Sequence, residues 1–172
     1  THSLVSAREN FERQALPFQN DIYFAALALA RNETDALDLV QDTYLKAFRS
    51  FGNFRPTGGG IKSWMFTILR NAYLDRCRAR RSTPVAFDEV EEPAADADAS
   101  DLPLHELLDA EIIRALRSLS PRHQVLVLLA DIEGFSYQEI AEMLGCPMGS
   151  VMSGLFNARS RLRAALRSRA ES

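Results

Sequence analysis

Ser136-Tyr137-Gln138-Glu139-Ile140-Ala141-Glu142-Met143-Leu144-Gly145-Cys146-Pro147 is the stretch on which the fold turns. Ser136 followed three residues later by Glu139 is a capping box, in which the two positions satisfy each other's orphan backbone groups and open a helix. Gly145 suits the left-handed residue that ends a helix, and Pro147 does not let it continue. A short capped helix, a glycine turn and a longer arginine-rich helix form helix-turn-helix grammar. One step upstream, Ser120-Pro121 reads as the N-cap and first position of a helix running to about Ile132. Downstream, Val151, Leu155, Ala158, Leu162 and Leu166 fall on one stripe that must be buried. At ~100° per residue, Ser153, Phe156, Asn157 and Ser160 project away from that stripe, where a groove-reading face needs them. Arg159, Arg161, Arg163, Arg167 and Arg169 then follow with no acid before Glu171. Such a run suits phosphate contact by charge, the plainer alternative being a solvated helix face.

The N-terminal part carries helical periodicity nearly throughout and no sustained period-two alternation. Helices are expected over Leu4 to Leu16, over Phe18 to Arg31 entered through Pro17, over Asp35 to Phe51 behind a Thr34 N-cap, and over Ile61 to about Arg81 after a loop from Gly52 to Gly60. In the third of these, Leu37, Val40, Tyr44 and Phe48 form the stripe expected to be buried, which leaves Asp38, Gln41 and Asp42 on the opposite face. In the fourth, Ile61, Met65, Ile68 and Ala72 form a packed stripe whose next member is Arg76, so the packed face is expected to end there. From that point Arg76, Arg78, Arg80 and Arg81 dominate, with Trp64, Phe66 and Tyr73 upstream. Aromatic rings beside cations hold single-stranded nucleic acid and trap an opened base. Trp64 is expected in the core, while Phe66 and Tyr73 read equally well as core or as stacking platform.

Between these parts the charge changes sharply. Residues 1–82 hold 12 Lys and Arg against 8 Asp and Glu, residues 83–107 hold 0 against 8, and residues 108–172 hold 8 against 7. The acidic, Ala- and Pro-rich strip has too little apolar surface to order itself. It reads as a solvated linker or, alternatively, as a nucleic-acid mimic lying in a basic channel of a partner. The expected fold class is therefore all-α: two small helical domains, residues 1–82 and 108–172, joined by an acidic linker over 83–107, the second a helix-turn-helix. The two cysteines, Cys77 and Cys146, are far apart and outside any C-x-x-C, so neither a disulfide framework nor a cysteine-rich metal site is expected. No apolar run reaches the ~18 residues of a membrane span, and the first twenty residues lack the order of a signal peptide, so a cytoplasmic protein is expected. The chain opens on Thr rather than Met, read as a start inside a longer gene product or a vector scar, and His2 carries no argument. With only His105 and His123 left, and no nucleophile-elbow, phosphate-loop or paired-histidine motif, no enzyme, cofactor or metal is expected.

Three segments together resemble a known family. Asp35 to Phe48 (DALDLVQDTYLKAF) resembles the polymerase-clamp segment of the group IV, extracytoplasmic-function sigma factors of bacterial RNA polymerase. Lys62 to Arg76 (KSWMFTILRNAYLDR) resembles the segment that melts and reads their minus-10 promoter element, and Gly134 to Val151 resembles their minus-35 helix-turn-helix. The resemblance covers nearly the whole chain, and three such segments in this order are highly specific. It implies a two-domain factor that docks on the beta-prime clamp and beta flap of core polymerase, binds promoter DNA and is often held inactive by an anti-sigma protein.

Joined to the residue reading, it places core binding on Asp38, Gln41 and Asp42. It places minus-10 contacts on Arg70, Asn71, Asp75, Arg76, Arg78, Arg80 and Arg81, and minus-35 contacts on Ser150, Ser153, Phe156, Asn157, Arg159, Arg161 and Arg163. After Val151 the family pattern carries three cations where this chain has Met152, Gly154 and Asn157. Gly154 is expected to cost ~1 kcal/mol in helix propensity. Base reading is then expected to fall on Ser153, Phe156 and Asn157, since Asn pairs with adenine and an apolar ring meets a thymine methyl. A stand-alone helix-turn-helix repressor accounts for the second part but leaves the acidic helix and the arginine-aromatic helix unexplained.

Overall fold

Capping chemistry sets the helix starts. The structure, a computed structural model, describes residues 2–30, 32–56, 59–80 and 110–171, so Arg81 and the linker expected over 83–107 lie outside the described residues. Every regular element among the described residues is helical: α1 (His2–Ala15), α2 (Gln19–Leu29), α3 (Glu33–Ser50), α4 (Gly60–Arg80), α5 (Ala110–Arg117), α6 (Pro121–Val127), α7 (Tyr137–Leu144) and α8 (Met148–Ala170). The start of α3 corrects one expectation. Asn32, not Thr34, is its N-cap, with extended backbone and a side-chain oxygen 2.8 Å from the Asp35 amide. The chain enters α2 through a 3-10 turn at Leu16–Phe18 that holds Pro17.

In the C-terminal part the caps match the reading. The Ser120 side chain accepts from the His123 amide at the head of α6. At α7 the Glu139 amide donates to Ser136 Oγ and the Ser136 amide to Glu139 Oε1, each at 3.1 Å. Gly145 ends α7 at φ 63°, and the Cys146 and Gly145 amides close back on Ala141 and Glu142. A side chain at Gly145 would strain this left-handed residue. The helix expected to run to Ile132 instead widens after Val127 into a π turn over Leu128–Ile132. The extra residue in that turn aims Asp131 at α8 and Glu133 at α4.

The core corrects two burial expectations. In α3 the buried residues are Ala36, Leu39, Thr43 and Ala47, while Leu37 and Phe48 are 46% and 44% exposed. Small residues let α2 and α4 approach α3 closely, and the bulky Leu37 and Phe48 are displaced to a rim. In α4 the buried set is Ser63, Met65, Phe66, Leu69, Ala72 and Tyr73, with Ile61 and Ile68 only half-buried. The stripe is wider than periodicity suggests because α4 is covered twice, by α2 and α3 on one side and by α6 and α7 on the other. Phe66 and Tyr73 are therefore core, and Trp64 sits at the edge, its ring 5.0 Å from Phe54.

The central helix is α2, buried at Ile22 and at every residue from Ala25 to Leu29 and touching α3, α4, α5 and α6. A helix apolar on nearly all sides belongs in the middle of a bundle. One hydrophobic cluster consequently runs from Phe11 through both parts of the chain to Leu155, and a smaller one joins Leu116, Leu119, Val127 and Ala158. No described helix is long and apolar enough to cross a membrane.

Candidate polymerase and nucleic-acid interfaces

The face of α3 with Asp38, Gln41 and Asp42 borders a groove of about 950 Å³ between α1 and α3. Phe11, Leu16, Tyr44, Leu45 and Phe48 line it, and Arg76 of α4 reaches its edge. The lining is rigid at its centre. Phe11 makes edge contacts with the rings of Tyr44, Phe48 and Phe51 at 6.4, 5.4 and 5.3 Å, and Tyr44 donates its hydroxyl to the Ala15 carbonyl at 2.9 Å. Burial, with Asp21 nearby, pushes the Tyr44 hydroxyl up to about 12, so it stays a donor. Asp42 pairs with Lys46 at 3.3 Å, while Asp38 and Gln41 face solvent. An apolar floor whose rim carries Arg8 and Arg76 beside Glu12, Asp38 and Asp42 suits a protein segment that presents apolar side chains flanked by charged ones. The apolar half of this site was not read from the sequence; the signal for it is the surplus of large residues on α3, two of which have no room in the core.

The minus-10 candidates on α4 divide by contact. Arg70 is half-buried, donates to Asn71 Oδ1 at 2.8 Å, and has its affinity for a proton lowered by burial and by Arg78. Asp75 is exposed and pairs with Arg78 at 3.2 Å and Lys46 at 3.9 Å. Arg76 turns to the α1/α3 groove, and Arg80 reaches Asp35 of α3 at 3.5 Å. The structure thus joins Arg70 to Asn71 and Asp75 to Arg78, and sends Arg76 and Arg80 toward α3.

On α8, Ser153, Phe156 and Asn157 are exposed together, Phe156 at 71%. Ser150 is half-buried, its carbonyl accepting from Arg122 Nη2 at 3.5 Å and from Ser153 Oγ at 3.3 Å. Arg161 and Arg163 face solvent. Arg159 is engaged within the protein: its Nη2 and Nε donate to the two Asp131 carboxylate oxygens at 2.7 and 3.1 Å, and Nη1 donates to the Tyr137 hydroxyl at 3.0 Å. These bonds hold its proton more tightly than usual and brace α8 against the π turn and the head of α7. Gly154 has a packing reason, since a Cβ there would come within 2.6 Å of Leu126 Cδ1 on α6. Met148 and Met152, 46% and 54% exposed, were missed; with Phe156 they follow i, i+4, i+8 and continue the outward surface. No group of three or more His, Cys, Asp or Glu among the described residues is placed to hold a metal.

Comparison with known proteins finds two regions of similarity along the chain. Sigma-70 region 2 matches residues 16–83, and Sigma-70, region 4 matches residues 109–162. The ECF RNA polymerase sigma factor SigE of Mycolicibacterium smegmatis is 37% identical over 147 residues, which is 83% of this chain but 56% of that protein. This chain therefore spans little more than half the length of that relative. The ECF RNA polymerase sigma factor EcfG of Rhodopseudomonas palustris is 36% identical over 82% of this chain and 76% of its own length. Among solved structures, the sigma factor RpoE of Bartonella quintana, in complex with the anti-sigma factor NepR, superposes with a TM-score of 0.70 at 26% identity, covering 92% of this chain and 98% of that one. With two family regions in order on two sets of helices, the chain belongs to the extracytoplasmic-function sigma factors of the sigma-70 family.

Proposed function

We propose that the chain is an alternative sigma factor that directs core RNA polymerase to specific promoters in the cytoplasm and has no catalytic role of its own. The observation that carries this reading is the match to regions 2 and 4 in order, with an apolar groove rimmed by charged residues on the first and an exposed outer face of α8 on the second. The first block, residues 1–82, takes core polymerase at Asp38, Gln41 and Asp42 and contacts the minus-10 element through Arg70, Asn71, Asp75, Arg76, Arg78, Arg80 and Arg81. The second, residues 108–172, reads the minus-35 element through Ser150, Ser153, Phe156 and Asn157, with Arg161 and Arg163 on phosphates and Arg159 positioning the helix through Asp131. Residues 83–107 join the two as a linker. Control by an anti-sigma factor is part of the proposal, supported by the structural relative solved with one.

The test is run-off transcription with core polymerase on a promoter library. Discrete starts sharing one sequence element near minus-10 and one near minus-35 are expected. No start above core polymerase alone would overturn the reading, and nanomolar promoter-selective binding by the free chain would favour a stand-alone repressor instead.

A further inference from the structure

The outward face of α8 lacks the group that reads guanine best. Guanine offers two acceptors in the major groove, O6 and N7, and the side chain that takes both is an arginine or a lysine. From Met148 to Ala158 the helix carries no charged residue. Its first cation, Arg159, is committed inside the protein, since Nε and Nη2 donate to Asp131 and Nη1 to the Tyr137 hydroxyl. Position 154 supplies no substitute, because a Cβ there would run into Leu126 and come within 3.7 Å of Arg122 Cζ. Arg122 itself, on α6, turns Nη2 toward the Ser150 carbonyl at 3.5 Å, a backbone group of α8. Arg161 stands 13 residues beyond Met148, ~20 Å up the helix at ~1.5 Å per residue, whereas the N-terminal residues of such a helix are the ones that meet base edges.

What the face offers instead is apolar. Met148, Met152 and Phe156 follow one another a turn apart, and all three are exposed. A strip of large apolar side chains in water marks a surface that is covered in function. Ser153 and Asn157, both exposed, stand beside it and set hydrogen-bonding groups next to the strip. Arg161, Arg163 and Arg167 follow on the same helix with no acid among them. Apolar and hydrogen-bonding groups side by side, with cations beyond, match the edge and backbone of a duplex better than the groove of another protein.

Base chemistry then narrows the sequence. The apolar group on a base edge in the major groove is the thymine methyl, and adenine N6 and N7 together suit an Asn. Met152 and Phe156 are four residues apart, ~6 Å along the helix, which is close to two base-pair steps of ~3.4 Å. The Met152 thioether is flexible and polarisable and adapts to a methyl, while the Phe156 ring offers a flat apolar face.

We propose that α8 reads a minus-35 element of A·T pairs largely through its methyl groups. Met152 and Phe156 each cover a thymine methyl, about two base pairs apart, Asn157 takes a neighbouring adenine, and no side chain of the face reads guanine. The inference rests on the promoter reading above and adds the class of sequence that the second block accepts, with Met152 as the residue it brings into the site.

The experiment is selection by the holoenzyme, formed with core polymerase, from promoter duplexes randomised across the minus-35 element. The selected duplex is then bound again with single thymines replaced by uracil. The selected element is expected to hold thymines about two base pairs apart and no position at which guanine is required. Each uracil is expected to weaken binding about fourfold, the loss for uncovering one methyl-sized group. Met152→Ala is expected to abolish one of these uracil effects and leave the other, Phe156→Ala to do the reverse, and Met152→Leu to keep both. Met152→Arg is expected to move the preference at its own position from thymine to guanine. Both positions are exposed, so these variants are expected to melt within a few degrees of wild type. A selected element with an obligatory G·C pair under α8 would overturn the proposal. So would uracil effects that are absent, or that neither alanine variant removes. Equal binding to every minus-35 sequence would overturn it too and leave the apolar strip to a protein partner. Run-off transcription from the same duplexes keeps the two readings apart. Starts from promoters that fail these tests refute the A·T reading alone, and no start above core polymerase refutes the sigma reading and this inference with it.

Discussion

Replacing Phe156 by alanine separates a reading residue from a packing residue. Phe156 is 71% exposed, so folding covers about 29% of a side chain that offers roughly 200 Å². At ~25 cal/mol per Å² that coverage is worth at most about 1.5 kcal/mol. Alanine regains up to ~0.7 kcal/mol of helix propensity and keeps its own Cβ, so the net loss of stability is below about 1 kcal/mol. Contact with a thymine methyl in the major groove is worth more, ~1–3 kcal/mol per recognised position, or about 5- to 150-fold in affinity. Phe156→Ala is therefore expected to melt within a few degrees of wild type and to lose at least fivefold in holoenzyme affinity for promoters with a thymine under α8. The assay pairs thermal denaturation with holoenzyme binding to duplexes differing only by thymine or uracil in the minus-35 element, since the two bases differ by that methyl. Equal affinity of the wild-type holoenzyme for both duplexes would refute the base contact. A stability loss of several kcal/mol in Phe156→Ala would show that the ring is packed in solution.

The other predictions concern the remaining surfaces. Asp38→Lys with Asp42→Lys is expected to abolish capture of core polymerase and leave helicity intact, because the exposed Asp42 to Lys46 pair is worth only ~0–1 kcal/mol; unchanged capture in a pull-down would move the docking site. Alanine at Arg70, Arg76, Arg78 and Arg80 is expected to weaken open-complex formation on every promoter and flatten its salt dependence, whereas Asp75 variants change base preference at one position; permanganate footprints indifferent to the arginines would place melting elsewhere. Gly154→Arg, which restores the family's cation, sets a cost of ~1–3 kcal/mol from its Cβ meeting the buried Leu126 against ~1 kcal/mol of regained helix propensity, so a net loss of ~0–2 kcal/mol is expected, and a melting temperature above wild type would show that Leu126 yields freely. Burial holds the Glu133 carboxyl above its ordinary value, against the pull of Lys62 on α4 and with a further push from Asp21 on α2. A raised acid stabilises the fold fully below the ordinary glutamate value and loses that contribution as pH rises through the raised one. Lowering pH from about 7 to about 5 should therefore favour wild type relative to Glu133→Gln, and parallel melting curves of the two across that range would contradict the assignment.

Local chemistry was legible in the chain itself. The Ser136 to Glu139 box, the Ser120-Pro121 start and the Gly145 stop depend on groups within a few residues of one another, and the structure shows each of them. The stripe Val151, Leu155 and Ala158 was equally readable, because one helix face meets one set of neighbours and periodicity has one solution. The N-cap of α3 was misplaced by two residues because Asn32 and Thr34 are both competent caps, and the backbone at Asn32 chooses between them.

What the sequence by itself determined is therefore the helical class, the order of the two family regions and the charge change between them. Tertiary structure alone decided which apolar residues are inside. A helical wheel predicts one buried face, but α4 is covered from two sides, so Phe66 and Tyr73 go in, while on α3 the small Ala36 and Ala47 are buried, Leu37 is left exposed and Phe48 lines the groove. It also decided which charges are available. Arg159 stands in an arginine run that reads as uniform, yet Asp131, 28 residues away, claims it through a π turn that no local pattern marks. The contacts of Lys62 with Glu133, of Tyr73 with Gln124 and of Arg117 with the Leu27 carbonyl join residues 51 to 90 positions apart. Their energies depend on desolvation and on a partner's exact place in space, and neither is a property of any window of sequence.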